Sequence, residues 1–147
     1  MEVIPTISVL FIDRSTNQRT YWAEQLKRCS PSYEILEASD AQSGFDLYRS
    51  RRIDCVVLDL ALQDESNYTT LGLATLVNLV PIARKPQIAV IVLTQLLDRG
   101  IWEIAKQNGA YVCLAKDFTS GEDLHKAIRR AVDFVSQMPK EDQYSPI

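Results

Sequence analysis

The sequence predicts an α/β domain built on a parallel five-stranded sheet with helices on both faces. Three observations carry that prediction. Five short apolar segments rich in strand-forming residues alternate with longer stretches of helical periodicity, the pattern of repeated βαβ units. The middle segment, Cys55-Val56-Val57-Leu58, is apolar without a break, as a central strand covered on both faces must be. Capping residues such as Ser15, Asp40, Asp98 and Thr119 open most of the helical stretches.

The first strand runs over Ile7–Ile12. Ser15 and Gln18 form a capping box ahead of Trp22, Leu26 and Cys29, which share one helical face. Ser30-Pro31-Ser32 ends that helix, and a second strand follows near Glu34–Ala38. Asp40 opens a second helix with Ala41, Phe45 and Tyr48 on its inner face. Arg49, Arg51 and Arg52 form its solvated end, where cations suit the helix dipole better than they suggest a binding patch. After the third strand a polar loop through Asn67 leads to a helix over Leu71–Val80, which Pro81 helps to end. The fourth strand is Ile88–Leu93, closing on Thr94. Asp98 caps a helix carrying Ile101, Ile104 and Ala105, and Asn108-Gly109 supplies a left-handed stop. Tyr111–Ala115 is the fifth strand. Thr119 and Glu122 then form a capping box for a last helix with Leu124, Ile128, Ala131, Val132 and Val135 inward. Residues 1–137 make one domain; 138–147, polar and carrying Pro139 and Pro146, read as a tail or the start of a linker.

At 147 residues the chain has the size of one domain, and its 46% hydrophobic and 24% charged residues exclude disorder. A net charge of -3 disfavours direct nucleic-acid binding. Apolar runs fall well short of the roughly eighteen residues a membrane span needs. The Ile7–Ile12 run is cut by Asp13, unlike a signal peptide, so a cytoplasmic placement is expected. Cys29, Cys55 and Cys113 have neither disulfide nor zinc spacing and read as reduced core thiols.

In an open parallel sheet, ligands bind beyond the carboxyl ends of the strands, where strand order reverses. Asp13, Asp59, Thr94 and Lys116 close the first, third, fourth and fifth strands, so all four are predicted to meet at one rim. Their chemistry suits phosphate. Asp59 is a carboxylate nucleophile able to form an acyl phosphate. Asp13 helps to hold a hard cation such as Mg2+. Lys116 offers a point charge to one phosphoryl oxygen, and the Thr94 hydroxyl a hydrogen bond to another.

On these residues, together with Gly109-Ala110 in matching order across nearly the whole chain, the sequence resembles the receiver domains of response regulators. The resemblance implies a flavodoxin-like doubly wound sheet with strand order 2-1-3-4-5. It also implies a phosphohistidine donor on a histidine kinase or phosphotransfer protein, and catalysis confined to the domain's own phosphorylation and dephosphorylation. The Ala61 carbonyl would complete a Mg2+ site made by Asp13 and Asp59. The message would pass to a downstream protein or through a homodimer, with no membrane or nucleic-acid partner.

The chain departs from the family pattern at several positions. Receivers usually carry two adjacent acids after the first strand, whereas here Asp13 is followed by Arg14. That guanidinium either weakens Mg2+ binding, partly replaces the cation by bonding phosphoryl oxygens, or turns to solvent or to Asp13. Asp64 and Glu65 in the following loop could restore a ligand. The family's switch aromatic corresponds to Cys113, and Tyr111, two residues earlier, would share its strand face and could serve instead, although a packing role suits it better. Asp117 replaces the proline that usually follows the lysine, so no cis peptide is expected. Trp102, beside the Ile101 stripe, reads as a partly buried rim tryptophan, with an exposed contact on the fourth helix as the alternative, and His125 reads as a helix-flank residue.

Two other readings compete. One is a phosphorylation-independent receiver-like adaptor with constitutive protein binding, motivated by Arg14 and Cys113. The other is a flavin- or nucleotide-binding enzyme, disfavoured because residues 13–17 contain no glycine for close phosphate approach.

Overall fold

Strand and helix alternate through the computed structural model, which describes residues 6–62 and 68–139. The elements are β1 (Ile7–Ile12), α1 (Thr16–Cys29), β2 (Tyr33–Ala38), α2 (Ala41–Ser50), β3 (Cys55–Leu58) and α3 (Tyr68–Leu79). They continue with β4 (Ala89–Thr94), α4 (Arg99–Gln107), β5 (Val112–Ala115), a 3-10 turn at Lys116–Phe118 and α5 (Gly121–Ser136). All five strands pair in parallel in the order β2-β1-β3-β4-β5, the order the family resemblance implied. The reversal of direction falls between β1 and β3. None of the described helices is long and apolar enough to cross a membrane.

Period-two alternation sends successive strand side chains into two separate cores. Leu10, Ile12, Val56, Leu58, Val90 and Val92 face a core shared with Leu76 of α3 and Ala105 of α4. Val9, Phe11, Val57, Ile91 and Leu93 face a second core with Trp22 and Leu26 of α1 and Leu124, Ile128 and Ala131 of α5. β3 and β4 are buried along their whole length, which is why their sequences show no polar alternation. Each fully buried Leu or Ile there contributes about 1.5–3 kcal/mol. Gly109 has φ 108°, and a Cβ there would come within 2.5 Å of Val80, so the stop predicted at Asn108-Gly109 needs glycine on two counts.

Three expectations shift. The α5 capping box is Ser120 with Asp123, each side chain accepting the other's N–H at 3.0 Å, rather than Thr119 with Glu122. The 3-10 turn after β5 uses up residues 116–118 and leaves Thr119 extended, which moves the helix start by one. On α4 the predicted stripe rotates: Ile104 is 45% exposed, while Trp102 packs on the core beside Ile101. The Trp102 indole N–H donates to the Leu96 carbonyl at 2.8 Å, and that bond holds the ring partly buried at the rim, the preferred of its two readings. Finally, Cys55 and Cys113 are buried thiols, but Cys29 is half-buried and lies 3.6 Å from the Glu122 carboxylate, so it is not a core residue. Burial pushes the Cys113 thiol up to about 11 and the Cys55 thiol higher still, which leaves both inert.

The solvated reading of the α2 end agrees with the geometry. Arg49 lies over the Phe45 ring at 5.6 Å, and Arg52 pairs with Asp54 at 2.6 Å. His125 is a helix-flank residue whose Nδ1 lies 2.7 Å from the Tyr33 hydroxyl.

Candidate functional site

Because β1, β3, β4 and β5 run parallel, the residues that follow them arrive at one rim of the sheet. Ile12 pairs with Leu58, which sets Asp13 and Asp59 side by side. The ladder continues one residue further, with the Asp59 N–H donating to the Ile12 carbonyl at 3.0 Å and the Asp13 N–H to the Ala38 carbonyl at 3.1 Å. Thr94 pairs with Ala115, so Lys116 begins one residue beyond it.

Lys116 joins the two acids. Its ammonium donates to Asp13 Oδ2 at 2.7 Å and to Asp59 Oδ2 at 2.9 Å. The other carboxylate oxygens are held by backbone two residues on: Asp13 Oδ1 accepts the Ser15 N–H at 2.8 Å, and Asp59 Oδ1 accepts the Ala61 N–H at 3.0 Å. All three side chains are buried, with Asp13 6%, Asp59 7% and Lys116 8% exposed. Burial is the largest single influence on Lys116 and works to lower its pKa. The Asp59 charge and the Asp13 hydrogen bond and charge together outweigh it, so the ammonium is held above its ordinary range.

Thr94 is fully buried at the end of β4. Its hydroxyl oxygen accepts the Leu96 N–H at 3.2 Å, and no hydrogen bond among the described residues joins it to the acid pair. The structure thus brings Asp13, Asp59 and Lys116 into direct contact and places Thr94 at the same rim, committed to the β4–α4 turn. Ala61 holds Asp59 through its N–H. The preceding residue, Leu60, sits against Gly72 of α3, where a Cβ would collide with the Leu60 backbone, so this glycine permits the loop's course past the site.

Sequence reasoning missed Arg19. This guanidinium is 9% exposed on α1; it donates to the Asp13 carbonyl, to Glu37 Oε1 at 3.0 Å and to Thr16 Oγ1 at 3.1 Å. It therefore ties Asp13 to both α1 and β2. The signal was present: Arg19 precedes Trp22 and Leu26 by three and seven residues, so it lies on the buried stripe of that helix. A charge on such a stripe requires partners.

Arg14, beside Asp13, is exposed. Asp64 and Glu65 lie outside the described residues. The shared-face expectation for Tyr111 and Cys113 fails because β5 begins at Val112, so strand alternation does not extend to Tyr111. Cys113 Sγ lies 3.7 Å from the Trp102 carbonyl on the α4 side, whereas the Tyr111 ring rests on Phe134 of α5 with 5.6 Å between centroids. Among the described residues there is no cis peptide.

The donor set fits a hard cation in kind. Two carboxylates and a carbonyl, from Asp13, Asp59 and Ala61, are ligands of the type Mg2+ accepts alongside water. Among the described residues, Lys116 pairs with both Asp13 and Asp59, and Arg19 pairs with Glu37. No group of three or more potential metal-ligating side chains gathers among the described residues.

Comparison with known proteins agrees with the fold. A family model described as the response regulator receiver domain matches residues 9–129. No curated protein matches the chain. Among solved structures, a response regulator receiver domain protein from Clostridium thermocellum is 24% identical, with 88% of this chain and 97% of that one covered at a TM-score of 0.73. A receiver domain protein from Methanospirillum hungatei is 18% identical, covering 90% and 98% at 0.72. The signal receiver domain of an HD domain-containing protein from Pseudomonas fluorescens is 23% identical, covering 89% and 98% at 0.74. At these identities the structures establish a shared fold.

Proposed function

The chain belongs to the response-regulator receiver family, and from that premise we propose that it is a phosphorylation-controlled signalling module whose acceptor is Asp59. Receivers are signalling modules of phosphorelays rather than metabolic enzymes, and they generally bind Mg2+ at their acidic pocket. The observation that carries the proposal for this chain is the Lys116 ammonium shared between Asp13 and Asp59 at 2.7 and 2.9 Å.

The donor is a phosphohistidine of a histidine kinase or phosphotransfer protein. An Asp59 carboxylate oxygen attacks phosphorus, the P–O bond forms as the P–N bond breaks, and the imidazole leaves with the electron pair and takes a proton. Lys116 follows the charge from the carboxylate to a phosphoryl oxygen. The Thr94 hydroxyl, whose proton remains available while its oxygen accepts the Leu96 N–H, donates to another. A Mg2+ ion would be held by Asp13, Asp59 and the Ala61 carbonyl, weakened by Arg14, and would supply charge neutralisation there.

The added charge of about -1.5 to -2 units biases the β4–α4 turn. Thr94 holds Leu96, and Leu96 holds the Trp102 indole, so a rotated hydroxyl is felt at the surface of α4. That altered face meets a downstream protein or a second copy in the cytoplasm, and residues 138–147 act as a tail or linker beyond the domain.

Incubation with acetyl phosphate and Mg2+ tests the acceptor. Intact mass should rise by about 80 Da, one phosphoryl group, and the gain should vanish in Asp59→Asn. No mass gain with any donor would favour the second reading, a constitutive adaptor, which the Lys116 ammonium already engaged by both acids and the buried Cys113 in place of a switch aromatic support.

A further inference from the structure

We propose that the end of the domain opposite the acceptor rim is a basic foot that docks on an anionic lipid bilayer, a partner the family resemblance did not imply. The inference stands apart from the acceptor reading of Asp59.

Parallel strands send every helix back to the same end of the sheet, so the helix C-termini and the loops that enter the strands gather there. Arg28 lies in the last turn of α1 ahead of β2, Arg51 and Arg52 fall between α2 and β3, and Arg84 and Lys85 fall between α3 and β4. Each is exposed. Arg52 donates to the Thr6 carbonyl at 2.9 Å, just below the start of β1, which fixes it at this edge. With strand order β2-β1-β3-β4 and about 4.8 Å between strands, the cations spread over most of the sheet's width. Taken alone, the arginines after α2 are a solvated helix end; beside Arg28, Arg84 and Lys85 they become a surface.

The helix dipole accounts for only part of it. Its influence ends within the last turn, whereas Arg51 and Arg52 follow the end of α2 and Arg84 and Lys85 lie well past the end of α3. Internal pairing does not absorb the charge either. Among the described residues Arg52 is matched with Asp54, but Arg28, Arg51, Arg84 and Lys85 enter no ion pair. Glu34 and Asp133 are the other described acids at this end, while Lys27, Arg49 and Lys106 in last helical turns add further positive charge. Cations remain in excess even with Glu2, Glu141 and Asp142, which lie outside the described residues, counted against them.

Exposed apolar side chains accompany the cations: Ile82 after α3, and Tyr111 and Phe134, whose rings meet below β5. Broadly spread cations with interspersed rings suit the headgroup layer of an anionic bilayer, where each Lys or Arg is attracted and apolar groups settle at the interface. A nucleic acid would call for a helix or strand pair able to enter a groove, and these cations instead stand on loops and helix ends. The acidic rim does not oppose docking. β1 has six residues and so spans about 20 Å, more than twice the screening length of about 8 Å at physiological salt. Asp59 therefore faces away from the lipid and stays open to a phosphoryl donor.

The test is flotation of the intact chain with vesicles of phosphatidylcholine alone or with about one-third phosphatidylserine, beside fluorescence anisotropy with a labelled DNA duplex. Wild type should float only with the anionic vesicles, and salt at about 0.5 M should release it. Arg51→Gln combined with Arg84→Gln and Lys85→Gln should weaken partitioning by about tenfold or more, with an unchanged circular dichroism spectrum. Asp117→Lys, which raises the net charge at the rim instead, should leave partitioning unchanged. A gain in Asp117→Lys as large as the triple variant's loss overturns the inference, because binding would then follow net charge rather than the foot. Failure to float, equal flotation with phosphatidylcholine alone, or capture of the wild type by the duplex at the same salt overturns it as well.

Discussion

Replacing Lys116 with Met keeps most of the side chain's length and apolar volume while removing its charge. The ammonium's two ion pairs, 2.7 Å to Asp13 and 2.9 Å to Asp59, are buried, so the change leaves two adjacent carboxylates desolvated and without a counterion. An exposed ion pair would be worth about 0–1 kcal/mol, but removing one partner from a buried group costs about 3–5 kcal/mol. With a urea m-value of roughly 1.5–2 kcal/mol/M, the unfolding midpoint of Lys116→Met should fall by about 2–3 M. Unfolding is followed by far-UV circular dichroism and by fluorescence of the buried Trp22. Adding Asp13→Asn and Asp59→Asn to Lys116→Met should recover about half of the loss or more, because the unpaired charges go too. The pH dependence has a definite sign. Lys116 is raised above its ordinary 10.5 in the fold, so its contribution is fully present below 10.5 and disappears as pH climbs through the higher folded value. The gap between wild type and Lys116→Met should therefore stay flat around neutral pH and close in strong alkali. A Lys116→Met midpoint within about 0.5 M of wild type would refute the argument that the triad is desolvated.

Three further outcomes follow from the geometry. Ser120→Ala should cost about 1 kcal/mol and Thr119→Ala less than about 0.5, measured by thermal unfolding; the reverse order would return the α5 cap to the position the sequence suggested. Gly109→Ala should destabilise by more than about 1 kcal/mol, since the residue sits at φ 108° against Val80, and adding Val80→Ala should relieve only the clash. Arg19→Met should lower stability by about 2–4 kcal/mol and slow acetyl phosphate labelling by displacing Asp13. Glu37→Gln, which keeps the bond to the Asp13 carbonyl, should cost less than about 1 kcal/mol in the same urea assay.

The fold is legible because the strands bury both faces: the continuous apolar run Cys55–Leu58 admits no reading but a central strand, and the four polar residues that follow strands have to share a rim. What the sequence conceals has local causes. Thr119 and Ser120 are equally good caps, and only the 3-10 turn at Lys116–Phe118 decides between them. Periodicity places Trp102 beside the stripe, while a single bond to the Leu96 carbonyl turns its ring inward and Ile104 outward. Arg19 escapes notice because a charged residue is assigned to solvent by default, although its helix face is buried. Tyr111 and Cys113 pair only through an alternation that holds inside β5, which starts one residue after Tyr111.

The buried triad is difficult to explain as a device for stability. Two apolar cores already flank the sheet, and substituting well-packed hydrophobic residues for a buried ion cluster is often neutral or stabilising by about 1–4 kcal/mol. Lys116 and the two acids instead occupy the rim where strand order reverses, and each carboxylate is aimed by a backbone N–H two residues on. Such a cluster is satisfied and poised together: the ammonium lacks only a stronger anion to draw it from the resting carboxylates. A phosphoryl group on Asp59 would be that anion. Because Thr94 is joined through Leu96 to Trp102, a rearrangement at the rim has a mechanical route to α4 through two hydrogen bonds of 3.2 and 2.8 Å. Trp102 turned inward is thus better placed to respond to such a rearrangement than an exposed tryptophan would be, since its indole is held by the turn in which Thr94 accepts the Leu96 N–H.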